Sequence, residues 1–489
     1  MNGPSDAWFQ RRGLALLTDF YQLTMMAGHW REGRAAQRVT FDYFFRSLPP
    51  HTGFAIHAGL DPLLDFLENL RFEPDDIAYL RSLNVFDENF LDYLANFRLN
   101  CSVRAVPEGM LVFPDEPVVQ VEGPVIEAQL LETAILNLLN YPILIATKAA
   151  RVCLAAEGEP VLDFGLRRAH GPDGGVTGSR AAYIGGCVST SNVLAGKVYG
   201  IPVAGTHAHS WVMSFPSELE AFRAFARQYP DRCILLVDTY DVIKSGVPNA
   251  IRVFRELAAS GKKIRPAIRL DSGDLAKLSK AAYRMMIEAG LENPLIVASN
   301  DLNEDLIADL KRQGARINAW GVGTQLITSY DAPALGGVYK LTAIEGPEGW
   351  IPRMKISSNI EKATNPGRKQ IIRYYDAEDR PVGDLLIQEG SPWPETGPVY
   401  GRSRKLPHLK AQLEDAVRGE PLLQTVFENG HRVIESATAS RVRDRAQEQQ
   451  RILGEEFKRL RNPEIYKVIL SEELGEIKAR LLSGNPEIF

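Results

Sequence analysis

The middle of this chain predicts an α/β fold, a closed or nearly closed (β/α) barrel, and three observations carry that expectation. Short apolar runs recur six times between residues 160 and 322. Each ends in a polar or glycine-rich turn, and helical patterns separate them. Strands buried on both faces and alternating with helices make a parallel sheet, and six in succession favour closure. A doubly wound open sheet shares this periodicity and stays open as an alternative.

Before the barrel, residues 18–30 read as a short helix that Asp19 caps, and residues 38–45 as an aromatic-rich strand. Leucines at helical spacing fill 61–83, and β-branched runs broken by Pro-Glu-Gly and Pro-Asp-Glu-Pro turns fill 100–123. Residues 1–135 therefore read as a separate α+β domain with a small antiparallel sheet. The most apolar stretch, 130–150, is interrupted by Glu132, Asn137, Asn140, Pro142 and Lys148, which predicts an amphipathic core helix. The barrel, placed at 136–360, takes its strands from 160–164, 201–204, 233–237, 264–270, 295–298 and 317–322. Its helices are expected at 179–199, 219–228, 242–260, 275–289 and 303–313. Strand-like segments at 337–344 and 350–357 follow, then a Pro/Gly-rich stretch at 365–401 and a charged, helical tail at 436–483. Residues 361–489 read as a C-terminal extension.

Composition narrows the function. Hydrophobic residues at 45% and charged residues at 24% are those of a globular protein. With 56 Lys and Arg against 61 Asp and Glu, the net charge of −5 offers no basic surface for nucleic acid or an anionic membrane. Cys101, Cys153, Cys187 and Cys233 are scattered and form no CxxC, so neither a disulfide framework nor a zinc ribbon is expected. The first thirteen residues hold no apolar leader segment, and no run of 18 apolar residues occurs. A cytoplasmic protein without membrane partners is the expectation.

The chemistry gathers where the strands end. The clusters are Phe164-Gly165-Leu166-Arg167-Arg168, Gly205-Thr206-His207-Ala208-His209-Ser210, Asp238-Thr239-Tyr240-Asp241, Asp271-Ser272-Gly273-Asp274, Ser299-Asn300-Asp301 and Gly321-Val322-Gly323-Thr324. In parallel α/β folds the carboxyl ends of the strands share one rim, where active sites are assembled. The glycines of Gly321-Val322-Gly323-Thr324 suit a phosphate cradle, and the segment from Lys355 through Ser357 and Lys362 to Lys369 adds cations and hydroxyls. No GxxxxGK[ST] occurs, which argues against a Walker-type nucleotide site. Two histidines one residue apart, His207 and His209, allow a second reading, a metal-dependent barrel hydrolase.

Together these motifs resemble nicotinate phosphoribosyltransferase. The likeness also includes Leu17-Thr18-Asp19-Phe20-Tyr21-Gln22-Leu23-Thr24-Met25 and Gly336-Gly337-Val338-Tyr339-Lys340-Leu341, and it covers nearly the whole chain in order. The resemblance implies an irregular barrel of the type II phosphoribosyltransferase kind, with a β-rich α+β N-terminal domain and a C-terminal extension. It implies transfer of phosphoribosyl from phosphoribosyl pyrophosphate to nicotinate, coupled to ATP hydrolysis with Mg²⁺, for NAD synthesis. It implies that Phe164 and Tyr21, the latter from a second subunit of a homodimer, sandwich the pyridine ring. Arg167 and Arg269 would face its carboxylate and the ribose phosphates. Asp271 and Asp274 would hold ribose hydroxyls or Mg²⁺. Thr206, Ser299, Asn300, Gly321, Gly323 and Thr324 would line the substrate and 5′-phosphate, Thr364 the pyrophosphate side. His209 takes the phosphorylated position, which makes His209, Asp271 and Arg269 the catalytic group. Nicotinamide enzymes carry Asp directly after Gly-Thr, and here that position is His207, which agrees with nicotinic acid; a nicotinamide-specific transferase is the remaining relative.

Overall fold

The computed structural model describes residues 13–261, 264–356 and 363–483. Two compact units divide the chain: one is Ile145–Pro333, the other joins Met1–Leu144 to Ala334–Phe489.

The first of these holds the barrel. Its strands are β1 (Val161–Asp163), β2 (Ser189–Thr190), β3 (Ile234–Leu236), β4 (Ala267–Leu270), β5 (Leu295–Asn300) and β6 (Ala319–Val322). They run in the order β2-β1-β6-β5-β4-β3, every neighbouring pair parallel. The earliest strand thus lies beside the last, as barrel closure demands. Past β2, Thr190 bridges to Val203, so the run at 201–204 contributes a single bridge where the sequence predicts a strand. The seam between that segment and β3 is closed by a side chain. His207 is buried, and its Nε2 accepts from the Leu236 N–H at 3.2 Å. An edge N–H buried without a partner costs about 1–3 kcal/mol, which this bond removes.

The connecting helices explain several polar residues at strand ends. Asn192, Ser217, Asp274 and Asn303 each accept from a backbone N–H in the first turn of the helix they precede. The helix Leu275–Glu288 buries Leu275, Ala276, Ser279, Ala282 and Met286, one face at helical spacing. The helix expected over 179–199 is instead two, Gly171–Gly185 and Val193–Tyr199, with β2 between them. Gly186 makes the break at φ 132°, a backbone conformation that other residues rarely adopt.

The other unit carries two sheets. The first orders Gly349–Pro352, Gly337–Gly346, Arg38–Phe45, Val119–Pro124, Ser102–Ala105, Gln424–Glu428 and His431–Arg432. The sheet expected within the first 135 residues is therefore completed by chain that follows the barrel, with Tyr43 opposite Tyr339. The second sheet orders Lys410–Leu413, Val399–Ser403, Val468–Leu470, Pro381–Gln388, Lys369–Tyr375 and Arg418–Pro421. Two of these strands lie in the stretch that reads as Pro/Gly-rich connection. A third sits in the charged tail, between the helices Ala439–Ile452 and Glu472–Leu482. At the centre of this sheet Arg373 makes two bonds to Asp384, at 2.9 and 2.7 Å, and the Tyr466 hydroxyl donates to the same carboxylate at 2.9 Å.

Asp19 sits at the N-cap of the helix Phe20–Arg31, but its carboxylate accepts from the Thr133 hydroxyl at 2.8 Å and caps nothing. The apolar stretch after it forms the helix Glu132–Ala155, with Pro142 inside. By length and composition that helix is able to cross a membrane, but 72% of its most apolar window is buried in the protein, as a core helix requires.

Candidate active site

Parallel strands place the segments after β1 to β6 on one rim. His209 opens the helix His209–Met213 there, with its side chain 41% exposed. Its Nδ1 lies 3.2 Å from the Thr239 hydroxyl and its Nε2 lies 3.8 Å from the Asp271 carboxylate. Asp271 accepts from the Ser299 hydroxyl at 2.5 Å. Its own backbone N–H donates to Asp238 at 2.9 Å, and the Ser272 hydroxyl donates to the same Asp238 oxygen at 2.6 Å. The loops after β3 and β4 and the end of β5 are thus joined through two carboxylates. The second oxygen of Asp238 is buried with no hydrogen-bond partner among the described residues.

Two guanidiniums serve the same rim. Arg269 on β4 donates from Nη1 to the Thr206 hydroxyl at 2.9 Å, while its buried Nε has no partner among the described residues. Burial lowers its pKa, Asp271 and Asp238 oppose that, and the nearby Arg167 lowers it further. Two mutually repelling cations with an orphaned donor form a site that an anion satisfies. Arg167 itself stands exposed in the short turn Leu166–Arg168.

Phe164 follows β1 and donates its N–H to the Val322 carbonyl at 2.8 Å. Its ring lies on Gly321, where an added Cβ would come within 2.5 Å of a ring carbon. Gly321 is therefore required for packing the aromatic ring, a reason beyond the phosphate cradle read from the sequence. The fully buried Asp163 holds this turn, accepting from the Gly165 N–H at 2.8 Å and the Thr190 hydroxyl at 2.7 Å. Inside the barrel a cavity of about 380 Å³ is lined by Phe164, Thr206 and Arg269, with Arg232 and Arg265 also in its wall. That volume is within the range of small-molecule sites.

The remaining expected residues are placed as follows. Asn300 ends β5 at φ 134°, a strained backbone of the kind that clusters at functional sites, and its side chain accepts from the Asp301 N–H. Thr324 begins the short helix Thr324–Ile327 directly after Gly323. Asp274 is exposed, and one carboxylate oxygen is engaged as a helix cap to Lys277 N–H at 2.9 Å, which leaves the other for a ligand. Ser299 is buried and directs its proton to Asp271. Tyr21 and Thr364 belong to the other compact unit. Tyr21 is 48% exposed, with its hydroxyl 3.4 Å from Glu132. Thr364 is buried, and its hydroxyl has no partner among the described residues. Ser357 and Lys362 lie outside the described residues.

His207 corrects the reading from the sequence. Its ring turns into the barrel seam and stands edge-on to Phe225 at 4.8 Å between centroids. Burial pushes its pKa down to about 4, so it is neutral at pH 7 and brings no charge to the rim. Because Nε2 accepts from the Leu236 N–H, the neutral ring carries its proton on Nδ1, 3.4 Å from the Ala208 carbonyl, and neither nitrogen keeps a lone pair for a metal, which removes the paired-histidine metal site. Among the described residues no three His, Cys, Asp or Glu side chains gather as a metal cage.

Asp163 is a structural part of the site that the sequence reading did not name, and Asp238 and Thr239, named there within a strand-end cluster, received no individual role. The available signal was a polar residue at or just after a strand's last position, and it is ambiguous because helix caps leave the same mark.

Fold and rim define a (β/α)-barrel protein whose polar site gathers arginine, imidazole and carboxylate at the strands' carboxyl ends. Three family models match the chain: the nicotinate phosphoribosyltransferase N-terminal domain over residues 16–140, the nicotinate phosphoribosyltransferase family over 160–355, and its C-terminal domain over 368–478. A nicotinate phosphoribosyltransferase of Bacillus subtilis is 43% identical, over 97% of this chain and 98% of its own. The human nicotinate phosphoribosyltransferase is 38% identical over 96% and 97%. A crystal structure of human nicotinic acid phosphoribosyltransferase superposes with a TM-score of 0.84 at 34% identity, covering 95% of this chain and 99% of that one. The chain belongs to the nicotinate phosphoribosyltransferase family.

Proposed function

We propose that this protein transfers the phosphoribosyl group of phosphoribosyl pyrophosphate to nicotinate, giving nicotinate mononucleotide and pyrophosphate for NAD synthesis. The observation that carries this reading is the meeting of Arg167 and Arg269 with His209 and Asp271 on one rim. Nicotinate stacks on Phe164, and Tyr21 of a second copy covers its other face. Offset stacking adds about 0.5–1.5 kcal/mol beyond burial. Arg167 and Arg269 bind the ring carboxylate and the sugar's phosphates, Arg269 through the Nε that lacks a partner. Thr206, Asn300, Gly321, Gly323 and Thr324 line the ribose 5′-phosphate, with Ser299 acting through Asp271, and Thr364 serves the departing pyrophosphate. As the C1–oxygen bond to pyrophosphate breaks, the ring nitrogen's lone pair forms the new bond to C1. The pocket's task is to hold the two in line.

ATP hydrolysis is coupled through His209. With Nδ1–H donating to Thr239, Nε2 keeps its lone pair, attacks the γ-phosphorus and displaces ADP; water later cleaves the N–P bond to release phosphate. Asp271 and Asp274, the latter with one carboxylate oxygen outside its helix-cap bond, would hold Mg²⁺, which binds through one or two carboxylates plus substrate phosphates. When bound, Mg²⁺ offsets phosphate charge beside Asp271. The homodimer, the cytoplasmic location and the division at 135 and 360 belong to the same proposal. Incubating the protein with nicotinate, nicotinamide or quinolinate, with and without ATP, and identifying products by mass tests it; preference for nicotinamide sinks the substrate assignment. His209→Ala is expected to abolish ATP hydrolysis while leaving slow, uncoupled nucleotide formation, and unchanged ATP hydrolysis would refute its role.

A further inference from the structure

The six-stranded sheet carries a groove of about 750 Å³ beside the strand Lys410–Leu413. Val468 and Ile469, both buried, form its floor. Four cations stand in its wall, Arg404, Lys405, Lys410 and Lys467, and among the described residues no carboxylate does. In a chain where acids outnumber bases by 61 to 56, that segregation is not the average surface. Arg404 is fixed in place, its guanidinium 3.4 Å from Asp115 and donating to the Pro114 carbonyl. Lys405, Lys410 and Lys467 are exposed and form no ion pair among the described residues. Like charges gathered around an apolar concavity repel one another, and a polyanion relieves that repulsion. Beside them Tyr400 and Ile465 leave apolar surface in water, 64% and 77% exposed.

We propose that this groove binds a nucleoside polyphosphate, its phosphates on the three lysines and Arg404 and its base against Tyr400 and Ile465. Lysine and arginine are the phosphate-binding cations, and an aromatic face offers every base a stacking surface. The groove is built wholly from one compact unit and uses none of the residues assigned above to phosphoribosyl transfer. It is a second ligand site.

The test reads the lysines directly. The full chain is acylated with an N-hydroxysuccinimide ester, with and without ADP, and the modified peptides are quantified by mass. ADP is expected to slow acylation at Lys405, Lys410 and Lys467 several-fold relative to Lys197; equal rates with and without ADP overturn the site. ADP should protect at a concentration about fivefold or more below that of inorganic pyrophosphate, which carries the same two phosphates without a base, the factor a single stack supplies. Equal potency overturns the nucleotide assignment. Tyr400→Ala keeps the lysines and should erase that advantage; a retained advantage places the base elsewhere and refutes the proposed mode. Because protection is read at these lysines and turnover by product, failure here is distinct from failure of the transferase reading.

Discussion

Arg373 in the C-terminal sheet and Arg269 on the barrel rim are both withdrawn from water beside aspartate, yet their environments push them in opposite directions. Burial alone lowers Arg373, but Asp384, Tyr466 and Glu116 outweigh it and hold the guanidinium well above its ordinary value. For Arg269 burial prevails over Asp271 and Asp238, and the pKa falls. Asp384 accepts three hydrogen bonds and is fully buried, whereas Asp271 accepts one from Ser299 and leaves its second oxygen 3.8 Å from His209. Arg373 too has a buried nitrogen, Nη1, without a hydrogen-bond partner among the described residues, but its charge is over-compensated, and that pair reads as architecture. An under-compensated one reads as a place kept for a ligand.

That contrast breaks if the two pairs respond alike to substitution. Asp384→Ala strands a buried guanidinium, and loss of about 3–5 kcal/mol in urea unfolding is expected. An unfolding midpoint close to the parent's would remove the structural role. Arg269→Lys keeps the charge but loses the fork that spans Thr206 and an anion, so kcat/KM should fall about 100-fold or more while stability holds. Equal damage to both quantities would erase the distinction.

A third measurement sharpens it with protons. His207 is neutral when folded until about pH 4, whereas an unfolded imidazole takes its proton near pH 6.5. The unfolded state therefore binds more protons between those values, and stability falls as pH drops from about 6.5 to 4, by about 2–3 kcal/mol. His207→Gln should flatten that acid limb; an unaltered slope would place the titration elsewhere. The smallest expected effect is at Thr239→Val, where loss of one hydrogen bond to His209 should slow ATP-dependent turnover about fivefold, near 1 kcal/mol, with the ATP-independent rate unchanged. A drop in both rates would make Thr239 structural.

The barrel was legible because its strands and helices follow one another locally, so the alternation of apolar runs and helical patterns maps almost directly onto β1 to β6. The two-residue β2 escaped because nothing so short has a period. In the other unit pairing is non-local. Arg38–Phe45 was readable as a strand, but its partner Gly337–Gly346 lies on the far side of the barrel sequence, and no local pattern announces that. Val468–Leu470 was hidden among charged helices for the same reason. At the site, residue types at strand ends located the rim, but they did not reveal orientation. His207 and His209 are one residue apart, and only coordinates separate the seam from the mouth.

Gly321 and Phe164 act as a single packing unit, although the chain sets them far apart. A methyl at 321 collides with the ring, so the flat wall of the cavity exists only while both positions are kept. Reshaping that wall for a bulkier ring therefore calls for paired exchange, a smaller residue at 164 arriving together with a side chain at 321. Variants that alter 321 alone push the Phe164 ring out of that wall.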